Sequence, residues 1–204
     1  MTQNDLHREF FNSRAHQWDS PQDSDKLIRL ENIFRKFGIY PQRNVLDVGC
    51  GTGILHPIIT RMKKDPVRLF ELDFSESMIK QGREKFKKDS LLHTLYIHAD
   101  GEQLPLLNDS IQWIIAFAVV PHLSDKRKAI REWHRVLDLQ GTLIILHLMG
   151  SDRLNEFHAS AGDEIARDHL PSAANFASSL QESGYCIKEA VDQDDLYLIH
   201  AIKM

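Results

Sequence analysis

The stretch Asn44-Val45-Leu46-Asp47-Val48-Gly49-Cys50-Gly51-Thr52-Gly53 constrains this chain more than any other. A short apolar, β-branched run leads straight into glycines at three alternate positions, with Ile54 and Leu55 after them. A buried parallel strand reads this way when it ends in a tight turn ahead of a helix. Glycine suits such a turn because the backbone takes conformations that a side chain forbids, and a ligand can approach the main chain. The free N–H groups and positive dipole end of the following helix favour a negatively charged ligand group. A nucleotide-like cofactor is therefore expected just after the first strand.

The order of elements extends that reading. Residues 4–18 and 24–37 read as helices broken at Ser20-Pro21, with Asp23 or Ser24 as N-cap. The second has Leu27, Leu30, Ile33, Phe34 and Phe37 at helical spacing and stops at Gly38. Alternation follows: strand 44–48, helix 53–62, strand 67–72, helix 75–87, strands 94–98 and 111–118, helix 124–137, and strand 141–148 fed by a turn at Gly141. Helix 172–183 stops at Gly184, and strands 185–191 and 196–203 are joined by Asp192-Gln193-Asp194-Asp195. The alternating part predicts a doubly wound, mostly parallel sheet. The ending predicts a C-terminal antiparallel hairpin. Residues 149–171 read as a partial helix plus loop covering the ligand face.

Bulk properties exclude several classes. With 204 residues, 42% of them hydrophobic and 26% charged, the chain can build one full core. A formal net charge of −4 advertises no nucleic-acid face. The basic run from Gly82 to Lys88 reads as the solvated end of an amphipathic helix. Two distant cysteines, Cys50 and Cys186, predict neither a disulfide framework nor a cysteine zinc site, and a reducing compartment. No apolar leader is visible, and the longest apolar run, Ile111 to Val120, is too short to span a membrane. The expectation is a cytoplasmic protein without a membrane or nucleic-acid partner.

Two cofactor classes use three glycines after a first strand. Here the spacing is Gly-x-Gly-x-Gly, with Asp47 two residues earlier, and an acid there would repel a pyrophosphate and suit an ammonium. That favours S-adenosylmethionine (SAM) over a nicotinamide dinucleotide. Asn44 to Gly53 resembles motif I of the class I SAM-dependent methyltransferases. Leu69 to Met78 resembles the end of their second strand, and Ala99-Asp100-Gly101-Glu102-Gln103-Leu104-Pro105 their third motif. Ser110 to Leu123, Glu132 to Leu137 and Gly141-Thr142-Leu143 resemble their fourth strand, next helix and fifth strand. The resemblance implies one Rossmann-like domain over 1–204, with a seven-stranded sheet and a helical cap at 1–40. It also implies SAM as methyl donor and S-adenosylhomocysteine (SAH) as product. Asp47, Gly49, Gly51 and Gly53 would hold the methionine part, Asp73 the ribose hydroxyls, Phe74 the adenine face, and Asp100 with Gly101 the adenine edge. Cys50 reads as a small turn residue, since no neighbouring cation lowers its pKa.

Three departures stand out. Ile111-Gln112 replaces the Phe-Asp that usually opens the fourth strand, and Asp138-Leu139-Gln140-Gly141 replaces Lys-Pro-Gly-Gly. Ala118-Val119-Val120-Pro121-His122 occupies the place of the Asn-Pro-Pro-Tyr-type signature of nucleic-acid and glutamine amine methylation, and argues against that chemistry.

On the substrate side, His122 follows strand four and His147 ends strand five. Asn155 and His158, three apart, share a helix face, and His169 lies in the following loop. His122, His147 and His158 are the candidates for substrate binding or proton transfer; no diagnostic ligand spacing points to a metal. Phe10 to Asp19 resembles the N-terminal cap of the small-molecule, quinone-biosynthesis-like branch. Trp18 there either lines the pocket or anchors the helix. The expected function is methyl transfer from SAM to a small-molecule acceptor by a monomer or homodimer. The alternative is a SAM-binding regulator or scaffold without transfer activity.

Overall fold

The computed structural model describes residues 3–20, 23–161 and 165–204. Pro21, in the expected break, and residues 162–164, in the expected 149–171 segment, lie outside the described residues. Seven strands form one sheet: β1 Arg43–Val48, β2 Val67–Asp73, β3 His93–His98, β4 Ile111–Phe117, β5 Leu137–His147, β6 Tyr185–Gln193 and β7 Leu196–Lys203. Their order is β3-β2-β1-β4-β5-β7-β6. Strands β1 to β5 run parallel, and β7 pairs antiparallel with both β5 and β6. This is the expected doubly wound sheet with its C-terminal hairpin. The strand order reverses between β1 and β4, and ligands of open α/β sheets sit beyond the carboxyl ends at such a point.

Alternation along the strands supplies both cores. Val45, Leu69, Ile115 and Ile144 pack against helices α2 (Asp23–Lys36) and α3 (His56–Met62). Leu46, Ile114, Ala116 and Leu143 face α5 (Lys126–Val136) and α7 (Ala173–Glu182) on the other side. Fully buried Trp133 donates its indole N–H to the Gly101 carbonyl at 3.0 Å, tying α5 to the loop beyond β3. Helix α1 (Gln3–Arg14) and the short 3₁₀ turn Ala15–Gln17 lie over α4 (Glu76–Phe86), where Phe11, Ala15 and Met78 are buried together.

Four local expectations need correction. The helix after motif I starts at His56 rather than residue 53, because Gly49, Gly51 and Gly53 hold left-handed backbone (φ 69°, 56° and 83°) that cannot enter a right-handed helix. Strand β5 begins at Leu137. The expected turn at Gly141 survives as a bulge inside the strand, where the pairing jumps from Ile111↔Leu137 to Trp113↔Thr142. Helix α2 includes both Asp23 and Ser24, and the residue before it lies outside the described residues. Residues Ser151–Ser160 form a full helix, α6, where only part of one was expected.

The departure at Gln112 also finds its reason. Its side-chain oxygen accepts the Asn44 N–H at 3.1 Å and its amide donates to Asp138 at 3.2 Å, so an uncharged residue joins β1, β4 and β5 at their starts.

The start of α6 is pressed onto the hairpin. Asp192 accepts hydrogen bonds from the Ser151 N–H and hydroxyl, at 2.8 and 2.7 Å, and from the Ala173 N–H at 2.9 Å. A Cβ on Gly150 would overlap the Gln193 carbonyl, whose carbon lies 2.8 Å from that position. Gly150→Ala is therefore expected to lower stability by roughly 2 kcal/mol, read as the shift in urea unfolding midpoint.

Candidate active site

A cavity of about 470 Å³ opens where the strand order reverses, between the ends of β1, β2, β4 and β5 and the cap. Its floor is the turn after β1, with Gly49, Cys50, Gly51 and Thr52 in the lining. A Cβ on Gly49 would stand 2.5 Å from Val119 Cγ2, so the turn and the loop after β4 approach too closely for any side chain there. On Gly51 it would instead project beneath the Trp18 indole, 3.5 Å from Nε1, into the space the cavity occupies. The loop after β4 carries Ala118 at φ 56°, a conformation rare for alanine, held by its N–H to the Leu146 carbonyl at 3.0 Å.

Asp73 closes the floor. Its carboxylate accepts the Gly51 N–H at 2.9 Å and the Ser75 N–H at 2.8 Å, which fixes the glycine turn against the start of α4. Burial pushes this carboxyl up to about 6, and the two N–H donors hold it back from rising further.

Asp47 sits elsewhere than the ammonium reading requires. It is buried beneath the turn and outside the cavity lining, paired across the β1–β2 register with buried Glu71. Burial, then the charges of Glu71 and Asp73, push its carboxyl well above the usual range and favour the protonated form. His56 completes this buried group. Its Nδ1 stands 3.4 Å from Glu71, its Nε2 3.0 Å from Asp89, and its ring stacks on Phe86 at 4.0 Å. Buried and outside the cavity lining, the Asp47 carboxylate does not face the space where an ammonium would lie.

Gly53 also lies outside the lining, where a Cβ would meet Phe86 at 2.9 Å. Gly101 packs against Val48 and Asp100 accepts the Glu102 N–H at 2.8 Å, both beyond the cavity lining. Cys50 is buried, and burial followed by the neighbouring acids pushes its thiol up, as an inert turn residue requires.

The cap roofs the cavity. Phe11 meets Trp18 and Phe74 edge-on, at 5.4 and 5.7 Å between centroids, and all three line the space. Trp18 thus serves the pocket. Asn12 accepts hydrogen bonds from the Ser75 hydroxyl at 2.7 Å and the Ser77 N–H at 3.2 Å. Asp19 accepts from the Thr52 hydroxyl and pairs with Lys85 at 2.9 Å. These contacts latch the cap to the α4 start and to the glycine turn.

Three of the predicted histidines gather at the other wall. His122 and His147 line the cavity, and His158 stands behind, its ring 5.4 Å from that of His122. His122 Nδ1 lies 2.5 Å from Asp168 Oδ2, and His7 Nε2, from α1, lies 2.9 Å from Asp168 Oδ1. Burial opposes the Asp168 charge, but the two imidazoles outweigh it and hold the carboxyl at about 2. A carboxylate can only accept, so the proton in the short contact belongs to His122 Nδ1, and in the neutral ring the lone pair is then on Nε2. Asn155 and His158 do share a helix face, as expected. They grip the loop that presents Asp168: Asn155 exchanges two hydrogen bonds with Leu170, at 3.0 and 2.8 Å, and His158 Nδ1 lies 3.2 Å from the Asp168 carbonyl. His169 is exposed and takes no part. Asp168 and His7 escaped the sequence reading because both lie in stretches without a motif.

His147 is almost fully buried, and burial, then the nearby His122 and His158, push its imidazole down to about 3. Between pH 6.5 and 3 the unfolded chain protonates this residue while the folded chain resists, so its contribution to stability falls as pH falls. Across that window the wild type should lose roughly 4 kcal/mol relative to His147→Leu, measured by denaturant unfolding at stepped pH.

Known proteins agree with this geometry. A family model described as a methyltransferase domain matches residues 46–145, the segment carrying β1 to β5 and the glycine turn. The ubiquinone/menaquinone biosynthesis C-methyltransferase UbiE of an Enterobacter species is 28% identical over 202 residues, covering 94% of this chain and 79% of the relative. A SAM-dependent methyltransferase from Aquifex aeolicus superposes with a TM-score of 0.74 at 21% identity, covering 95% of this chain and 98% of the other. A protein from Pyrococcus horikoshii superposes with a TM-score of 0.71 at 18% identity, covering 91% and 93%. The left-handed glycine turn, the open space over Gly51 and the carboxylate of Asp73 beside it fit SAM. These likenesses support a class I SAM-dependent methyltransferase with SAM as its cofactor.

Proposed function

We propose that this enzyme transfers the SAM methyl group to a small, largely apolar acceptor lying between the cap and the loop after β4, with His122 accepting the acceptor's proton. The observation that carries the reading is His122 in the cavity wall with Nδ1 engaged by a buried carboxylate, which leaves Nε2 as the basic nitrogen. Phe117, Val119, Leu148, Met149 and Leu154 supply an apolar wall around it, which suits an aromatic or otherwise apolar acceptor. The name of the curated relatives, quinone-biosynthesis C-methyltransferases, is consistent with such an acceptor.

SAM supplies an electrophilic methyl group on a positively charged sulfur. Gly49 and Gly51 let the main chain approach the methionine part, while Asp19 and Lys26 in the wall offer one negative and one positive group to its ammonium and carboxylate. Asp73 retains acceptor capacity for the ribose hydroxyls beyond its two backbone contacts, and Phe74 offers a ring face to the adenine. Asp100, outside the lining, is the weakest of the proposed cofactor contacts. Phe11 and Trp18 exclude water and align the reactants, and alignment is the main protein contribution to an in-line displacement. His122 Nε2 would take up the acceptor's proton while the acceptor's electron pair bonds the methyl carbon and the sulfur–methyl bond breaks to leave SAH.

The test is SAH release from SAM in the presence of a panel of small phenols and hydroquinols. Acceptor-dependent release is expected. SAM binding without release for any acceptor would favour a SAM-binding regulator instead.

A further inference from the structure

We propose that Asp168 and His7 are positioning residues that set the His122 tautomer, and that His7 makes this setting depend on closure of the cap. The assignment rests on the reading of His122 as the base. Asp168 is the only group whose two carboxylate oxygens face imidazoles from two different elements among the described contacts: His122 from the turn after β4, and His7 from α1. The Asp168 and His7 side chains are 1% and 2% exposed, whereas His122 keeps 18% and reaches the cavity. The acid therefore lies behind the base, on the side away from the acceptor.

The two sides of the bridge are anchored differently. Asp168 is placed by α6, through Asn155 on Leu170 and His158 on the Asp168 carbonyl, and neither contact involves the cap. His7 is placed only by α1, which reaches the body of the protein through Phe11, through Asn12 on Ser75 and Ser77, and through the following Asp19 on Thr52 and Lys85. Phe11 and Trp18 of the cap line the cavity, so an opening of the cap as ligands enter or leave would carry His7 with it. With the cap open, Asp168 Oδ1 gains water, and the carboxylate is free to rotate away from His122. With the cap closed, His7 shields Oδ1, and Oδ2 is committed to His122 Nδ1.

The remaining charged neighbours do not substitute for His7. His158 meets the Asp168 carbonyl rather than the carboxylate. Lys126 on α5 donates to the Leu123 and Pro121 carbonyls at 3.0 and 3.4 Å and acts on Asp168 only through space. Cap closure, water exclusion and base orientation are thus one event. An imidazole that turns over tautomers in the open state presents Nε2 as acceptor only once the reactants are enclosed.

The experiment is long-range proton–nitrogen spectroscopy of the imidazoles in the full chain saturated with SAH. The wild type should show His122 as a single Nδ1–H tautomer. His7→Phe should move the His122 nitrogens toward the average of two exchanging tautomers while SAH still binds, and Asp168→Asn should move them further. His7→Gln, which keeps a donor at the Nε2 position, should restore the single tautomer. Loosening the cap at a distance, with Asn12→Ala, should shift the same His122 signals in step with faster amide exchange in α1.

Unchanged His122 nitrogens in His7→Phe, or a His7→Gln spectrum matching that of His7→Phe, would overturn the proposal. So would cap exchange that rises with no movement at His122. These spectra need no acceptor. A His122→Ala enzyme that turned over an acceptor at the wild-type rate would sink the base reading and leave the measured coupling intact.

Discussion

Asp73→Ala is expected to weaken SAM and SAH binding by roughly 100-fold, about 3 kcal/mol, in calorimetric titration. Its carboxylate takes the Gly51 and Ser75 N–H groups, and alanine leaves two N–H donors of the turn without their partner. Each buried donor left unsatisfied costs about 1–3 kcal/mol, and the glycine turn loses its tie to α4. Loss of the proposed ribose contact would add to this. Asp73→Asn keeps the size but presents an amide N–H₂ toward one of two N–H donors, so it should fall between wild type and alanine. Wild-type affinity should also weaken as pH drops through about 6, where this carboxyl takes up a proton and loses acceptor strength. The alanine variant should lack that inflection.

His122→Ala should lower kcat by about 10²- to 10⁴-fold with an acceptor identified by SAH release, the usual range for removing a general base. The methyl acceptor's KM should change little, because the apolar wall around His122 remains. A proportional rise in KM with unchanged kcat would instead assign His122 to binding. An acceptor that arrives already ionised would need no base, and the effect would then shrink as pH rises above that acceptor's own pKa.

Much of this fold is legible because its signals are local. The apolar run Val45-Leu46-Asp47-Val48 with glycines after it specifies a strand ending in a turn, and the βα order predicts a parallel sheet before any contact is known. Asp73 is legible through the resemblance of Leu69 to Met78 to the family's second-strand motif, and its place beside the glycine turn appears only in the folded chain. The purposes of Asp47, Gly53 and Gly101 are not local. The Asp47 carboxyl is pushed up by burial and by Glu71, which the β1–β2 register sets beside it, and Gly53 is pressed by Phe86 from the end of α4. The grouping of His122, Asp168 and His7 is the furthest from view. His122 and Asp168 are 46 residues apart, and His7 approaches from the opposite end of the chain through a cap contact. Spacing did place Asn155 and His158 on one face, yet their grip on backbone atoms of Leu170 and Asp168 follows from the folded path of the loop.

The most direct test of this account is calorimetric titration of the wild-type chain with SAM and with SAH. Saturable micromolar binding of both ligands is the result the left-handed glycine turn, Asp73 and the aromatic cap require. No heat from either ligand, in protein shown to be folded, would contradict the assignment of this cavity to SAM.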